Sequence, residues 1–275
     1  MRQLDAKLAE LSRKKEGAFA PFIVLGDPDR DASLRWIDAI AATGPDLFEF
    51  GLPFSDPPAD GPVIQAADQR ALAAGTTTAD CFEILQEAHE RHGIPASLLV
   101  YANLILGFGL DRFYAQCSRC GVDAVLVADV PLEEAPPFVA AAREHGIAPV
   151  FVASRLSTDD RLDRVGEFGE GYVYLVGHVG VTGERVQVDD GLAPLVARVR
   201  DRTGLPVLVG FGISEPEHVR AVLEAGADGA ISGSAVVRRI ENFHHEPDRC
   251  ETELAAFTGA MKDATRSPGE VQCSS

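Results

Sequence analysis

Glu49 interrupts an apolar run, Leu47-Phe48-Glu49-Phe50-Gly51, and two further carboxylates, Asp56 and Asp60, follow in the next loop. Strand side chains alternate between faces, so Leu47, Glu49 and Gly51 share one side while Phe48 and Phe50 take the other. A lone carboxylate on a buried strand is costly unless it is paired, hydrogen-bonded or kept protonated. The loop is stiffened by Pro53, Pro57, Pro58 and Pro62, which lowers the entropic cost of holding its side chains for a ligand. A shielded carboxylate beside a loop carboxylate predicts acid and base groups with separated pKa values. The chain therefore reads as an enzyme.

A second chemical signal lies near the end of the chain. Gly210-Phe211-Gly212-Ile213-Ser214 and Ile231-Ser232-Gly233-Ser234-Ala235 close the last two predicted strands. Glycine lets backbone N–H groups approach phosphate oxygens, and a helix N-terminus favours the negative charge there. Both segments together predict a phosphorylated substrate. A third glycine-rich loop, from Gly177 to Arg185, reads either as a mobile lid or as a plain surface connection. Asp27 and Asp129 follow the first and fourth predicted strands and precede helices by a few residues, so capping or turn formation is expected of both.

The elements that must position these groups alternate regularly. Predicted strands cover residues 19–25, 47–51, 96–101, 124–127, 148–152, 172–176, 207–210 and 229–232, with amphipathic helices between them. Near-continuous apolar runs such as Ala124-Val125-Leu126-Val127 fit parallel strands buried on both faces. Gly93, Gly146 and Gly204 stand where helices should end. The pattern predicts an α/β fold, a (β/α)₈ TIM barrel, over residues 1–265 as one domain. An extra N-terminal helix at 4–15 is expected to plug the barrel bottom, and residues 266–275 to form a frayed tail. A doubly wound sheet is the runner-up, but no G-x-G-x-x-G follows the first strand.

Composition narrows the partners. The 275 residues are 46% hydrophobic and 24% charged, ample for a globular core. A formal net charge of −17 argues against nucleic acid or an anionic membrane as partner. No transmembrane run or signal-peptide h-region stands out, which gives a cytoplasmic expectation. The 5 cysteines form no evident disulfide framework, and Cys117-Ser118-Arg119-Cys120 reads as incidental helix-face thiols. His244-His245 lacks spaced companions for a metal, so no metal site is expected.

Glu49, the segment from Gly51 to Pro62, Tyr101-Ala102-Asn103, Gly180-Val181-Thr182-Gly183, Gly210 to Ser214 and Gly229 to Ser234 together resemble the tryptophan synthase α subunit family. The resemblance implies retro-aldol cleavage of indole-3-glycerol phosphate without a metal or organic cofactor. It implies that Glu49 moves the proton at indole C3, that Asp60 accepts the indole N–H, and that Tyr174 stands beside the catalytic carboxylate. Phe22, Tyr101 and Phe211 would line the indole pocket, and Gly183, Gly212, Gly233 and Ser234 would hold the phosphate. The resemblance also implies a pyridoxal-phosphate β subunit as partner in an α₂β₂ assembly, with Asp56 and Asn103 facing it. Gly177-His178, Ser154-Arg155 and Leu104 depart from the family pattern without touching the two carboxylates. Competing readings are a stand-alone indole-producing lyase, a catalytically weak barrel regulating a β subunit, and another phosphosugar enzyme on the same fold.

Overall fold

The computed structural model describes residues 1–177, 179–182, 185–188, 191–210 and 212–266, with backbone alone over 179–188. The apolar runs form β1 (Ala18–Val24), β2 (Phe48–Gly51), β3 (Ala96–Val100), β4 (Val122–Val127), β5 (Ala148–Ala153), β6 (Val173–Leu175), β9 (Val207–Val209) and β10 (Gly229–Ser232). These eight pair in parallel in the closed order β1-β10-β9-β6-β5-β4-β3-β2. The (β/α)₈ barrel expected from the alternation is therefore the observed fold.

Between the strands run α2 (Arg30–Ala41), α3 (Pro62–Ala73), α4 (Thr78–His92), α5 (Ala102–Phe108), α6 (Leu110–Arg119), α7 (Pro136–Glu144), α8 (Asp159–Phe168), α9 (Leu192–Thr203), α10 (Pro216–Glu224), α11 (Ser234–Phe243) and α12 (Pro247–Asp263). Gly93, Gly146 and Gly204 lie in left-handed backbone just past α4, α7 and α9, as their positions in the sequence imply. No described helix is long and apolar enough to cross a membrane.

The alternation of strand faces divides the core. Phe48 and Phe50 pack outward against the helices, their rings stacked at 5.1 Å, while Leu47 faces the barrel interior. The lower interior is lined by small residues, Ala18, Ala20, Ala124 and Ala148, which leaves room to be filled. Helix α1 (Gln3–Lys14) supplies the filling through Leu4, Leu8 and Leu11 and so closes the bottom of the barrel.

Two features go beyond the sequence expectation. The stretch read as a glycine-rich lid or surface connection carries an antiparallel pair, β7 (Val179–Thr182) with β8 (Arg185–Val188), so it is a hairpin. The segment after β3 makes two helices, because Gly109 at φ 97° breaks the run between α5 and α6. Of the expected tail, 266–275, all but Arg266 lies outside the described residues.

Candidate active site

Glu49 occupies the centre of β2, where the parallel register pairs it with Phe22 of β1 and Ser97 of β3. It is 1% exposed, and no basic side chain among the described residues contributes to its ionisation. The Tyr172 hydroxyl donates to Ser97 Oγ at 2.9 Å and stands 3.5 Å from Glu49 Oε1. Burial pushes the Glu49 carboxyl up to about 8; the Tyr172 hydroxyl opposes this and the charge of Asp60 adds to it. Glu49 is thus a protonated acid at neutral pH, able to give a proton and take one back.

Asp60 has a different setting. It sits half-buried in the loop between β2 and α3, and its Oδ2 accepts from the Tyr101 hydroxyl at 2.7 Å. Tyr101 in turn accepts from the Ala59 N–H at 3.2 Å and stacks on Phe54, with ring centroids 5.2 Å apart. Gln65 Nε2 donates to the Asp60 carbonyl at 2.7 Å. Burial raises the Asp60 pKa and the Tyr101 hydrogen bond pulls it back. A carboxylate held by one phenol keeps its remaining lone pairs for a donor such as a heteroaromatic N–H.

The barrel order places β9, β10, β1 and β2 side by side, so the predicted anion turns and the acid strand share one quadrant of the mouth. Phe22 spans them. Its ring lies against Gly51, where an added Cβ would fall 2.7 Å away, and a Cβ on Gly233 would stand 3.8 Å from it. Ser232 Oγ donates to the Ile213 carbonyl at 2.7 Å and ties the turn after β10 to the turn after β9. Gly233 caps α11, its carbonyl accepting from Val236 and Val237, and Ser234 is exposed at the first helical position. Gly212 is exposed with φ +75°. The backbone thus offers N–H groups to an anion at a helix N-terminus. Gly183, Phe211 and His178 lie outside the described residues.

Tyr174 donates to the Gly210 carbonyl at 2.7 Å and leaves no room for a side chain there, since a Cβ on Gly210 would lie 2.2 Å from the ring. Burial raises its hydroxyl pKa, and the nearby Glu49 charge adds to the rise. It ties β6 to the end of β9, whereas the hydroxyl in reach of Glu49 itself is that of Tyr172.

Known proteins agree with this geometry. The family model described as "Tryptophan synthase alpha chain" matches residues 8–266. The tryptophan synthase alpha chain of Escherichia coli (strain SMS-3-5 / SECEC) is 49% identical over 268 residues, covering 97% of this chain and 100% of that one. The chain belongs to the tryptophan synthase alpha chain family. Among solved structures, the alpha chain from Legionella pneumophila superposes with a TM-score of 0.88 at 28% identity, covering 98% of this chain and 100% of that one. A tryptophan synthase complex from Pyrococcus furiosus gives 0.81 at 33% identity, over 90% of this chain and 98% of the matched one.

As a tryptophan synthase alpha chain family member, the protein carries several side chains whose work is visible only in three dimensions. Asp27, expected to cap or turn, instead forms a two-armed ion pair with Arg70 of α3 at 2.7 and 2.8 Å; α2 is capped by Asp29, which accepts from the Ala32 N–H. Asp129 does cap a helix, but the neighbouring α5, by accepting from the Ala102 N–H at 2.8 Å. Asp56 and Asn103 are both exposed, and Leu106, 57% exposed, lies on the same helix as Asn103. Cys81, Cys117, Cys120 and Cys250 are buried free thiols, and no metal-binding cluster occurs among the described residues. Sequence reasoning missed Tyr172 and Ser97. Ser97 carried the signal that exposed Glu49, a lone polar residue in an apolar strand, and Tyr172 lies two residues before Tyr174 on the same face.

Proposed function

We propose that the chain cleaves indole-3-glycerol phosphate to indole and glyceraldehyde 3-phosphate, as the α subunit of tryptophan synthase in tryptophan biosynthesis. The observation that carries this reading is the division of labour between Glu49 and Asp60: one carboxyl is sealed and protonated, the other half-open and phenol-bound. Glu49 delivers its proton to indole C3. The ring becomes cationic, and Asp60 accepts the indole N–H and stabilises the positive charge. The Glu49 carboxylate then takes the proton of the side-chain hydroxyl. The C–C bond breaks, its electrons return to the ring, and the hydroxyl carbon leaves as an aldehyde. Glu49 ends protonated, so the cycle is balanced without metal or organic cofactor.

Phe22, Tyr101 and Phe211 enclose the indole, with Tyr174 bracing the wall beside Glu49. Backbone N–H groups at Gly183, Gly212, Gly233 and Ser234 hold the phosphate at the start of α11. Residues 1–265 work as one cytoplasmic unit. Asp56 and Asn103 face a β subunit, which supplies the pyridoxal phosphate of an α₂β₂ assembly; the Pyrococcus furiosus relative is itself a tryptophan synthase complex. The test is indole release from indole-3-glycerol phosphate by the purified chain, with and without a β subunit. Slow release that rises strongly on adding β is expected. Fast release by the chain alone would replace the subunit reading with a stand-alone lyase, and none in either case would overturn the assignment.

A further inference from the structure

The glycine turn that follows β9 is tied down at both ends. At its first residue, the Gly210 N–H donates to the Leu175 carbonyl at 3.0 Å, and the Gly210 carbonyl accepts from Tyr174 at 2.7 Å. At its far end, two side chains hold a single peptide unit. Ser232 Oγ, on β10, donates to the Ile213 carbonyl at 2.7 Å, and Nδ1 of His218, on α10, accepts from the Ser214 N–H at 3.2 Å. That carbonyl and that N–H belong to the same planar group, so the two bonds together oppose its rotation. The Ser214 hydroxyl also lies 3.3 Å from Nδ1. Ser232 is 0% and His218 3% exposed, so both side chains are shielded from bulk water. His218 Nε2 is buried without a partner among the described residues, and within them the ring is tied to Ser214 alone.

We propose that Ser232 and His218 are positioning residues for the substrate phosphate: by clamping the Ile213–Ser214 peptide unit they fix the direction of the Gly212 N–H. The role rests on Gly212, Gly233 and Ser234 holding the phosphate as proposed above. Gly212 stands at φ +75°, and glycine has so wide a choice of backbone angles that it cannot aim its own N–H. The residues that follow must aim it. Ser232 directly precedes Gly233 and Ser234, so its one hydrogen bond also locks the turn after β10 to the turn after β9. His218 is the third residue of α10, from which a side chain can reach back over the helix start to a free N–H. Glutamine commonly does this work at that position, and the imidazole does it here with a shorter, stiffer arm. With both ties in place the cradle is set before the anion arrives, which lowers the cost of binding it.

The experiment measures kcat and KM for indole-3-glycerol phosphate, and the inhibition constant of inorganic phosphate, with the β subunit present. The variants are Ser232→Ala, His218→Leu, His218→Gln, the Ser232→Ala/His218→Leu double and Gly233→Asp. Ser232→Ala and His218→Leu are each expected to raise KM and the phosphate inhibition constant by about fivefold, with kcat nearly intact. A purely structural role would instead reduce the amount of folded enzyme and so the apparent kcat, leaving KM alone. His218→Gln restores the acceptor and should return both constants close to the wild type. The double variant should be about as impaired as the poorer single one, because a peptide unit freed at one end can turn and break the bond at the other. Normal constants in both single variants, a loss in kcat alone, or effects that simply multiply in the double would overturn the proposal. Should the leucine variant not fold, a normal KM in Ser232→Ala or a raised one in His218→Gln overturns it. An unchanged KM in Gly233→Asp would remove the phosphate site and the clamp with it. A raised KM there beside normal Ser232→Ala and His218→Leu rejects the clamp alone.

Discussion

Carboxylates stand toward both ends of this barrel, and their partners differ. At the strand starts, Asp46 accepts from the Phe19 N–H at 2.9 Å and from the Lys262 ammonium at 2.7 Å. Asp123 accepts from the backbone N–H groups of Leu4 and Ala96, and Asp228 from the Val207 N–H and the Arg200 guanidinium. These groups join strand to strand, or the barrel to α1, α9 and α12. Toward the strand ends, Asp27 is paired with Arg70, whereas Glu49 is as buried but meets no cation among the described residues and Asp60 accepts from a phenol. Burial by itself therefore does not mark a functional carboxyl. The difference lies in the partners: a paired carboxylate is a fixed structural anion, and an unpaired one keeps a proton that chemistry can use.

The contrast can be broken at either end. Glu49→Gln keeps the shape and removes the proton donor, so turnover should drop by at least roughly 10²-fold. Near-normal indole release would remove Glu49 from the mechanism. Lys262→Met leaves Asp46 buried without its cation and should lower folding stability by about 3–5 kcal/mol in denaturant unfolding, with the rate per folded molecule unchanged. A stability loss in Glu49→Gln as large as this would erase the distinction between the two ends.

Smaller effects sharpen the comparison. Asp60→Asn, an amide in place of the anion, should lower kcat by at least about tenfold, because it stabilises a cationic ring less well. Gly233→Asp is sterically mild, with the new Cβ at ordinary contact distance from Phe22. It should raise KM by about tenfold through repulsion of phosphate and leave kcat nearly intact. Unchanged substrate affinity would move the phosphate elsewhere. The smallest effect is thermodynamic. Glu49 binds its proton more tightly folded than unfolded, so its contribution to stability is complete below its ordinary value of 4.5 and is lost as pH rises through about 8. The Tm of Glu49→Gln should therefore gain on the wild type across that window and level off above it. A constant offset at all pH values would mean that Glu49 is ionised in the folded chain.

Much of this was legible before folding is considered. The apolar strands, the helices between them and the glycines that end them follow from short-range patterns, and a barrel follows from their number and order. Glu49 stood out because a charged residue in mid-strand has no local task, and Asp60 because proline fixes the loop around it. The hairpin of β7 and β8 was missed, since glycine-rich stretches carry no strong alternation.

What the sequence determined by itself was therefore the set of elements and the two carboxylates, because both are written in residue types close together along the chain. Tertiary structure alone decided what each carboxylate meets. Register brought Ser97 alongside Glu49, and closure of β1 on β10 set the glycine turn after β10 close to the strand of Glu49. Packing of α3 gave Arg70 to Asp27. Those meetings join residues far apart in the chain, and a proton's affinity depends on the dielectric and charges within a few ångströms in space, not on neighbours in sequence.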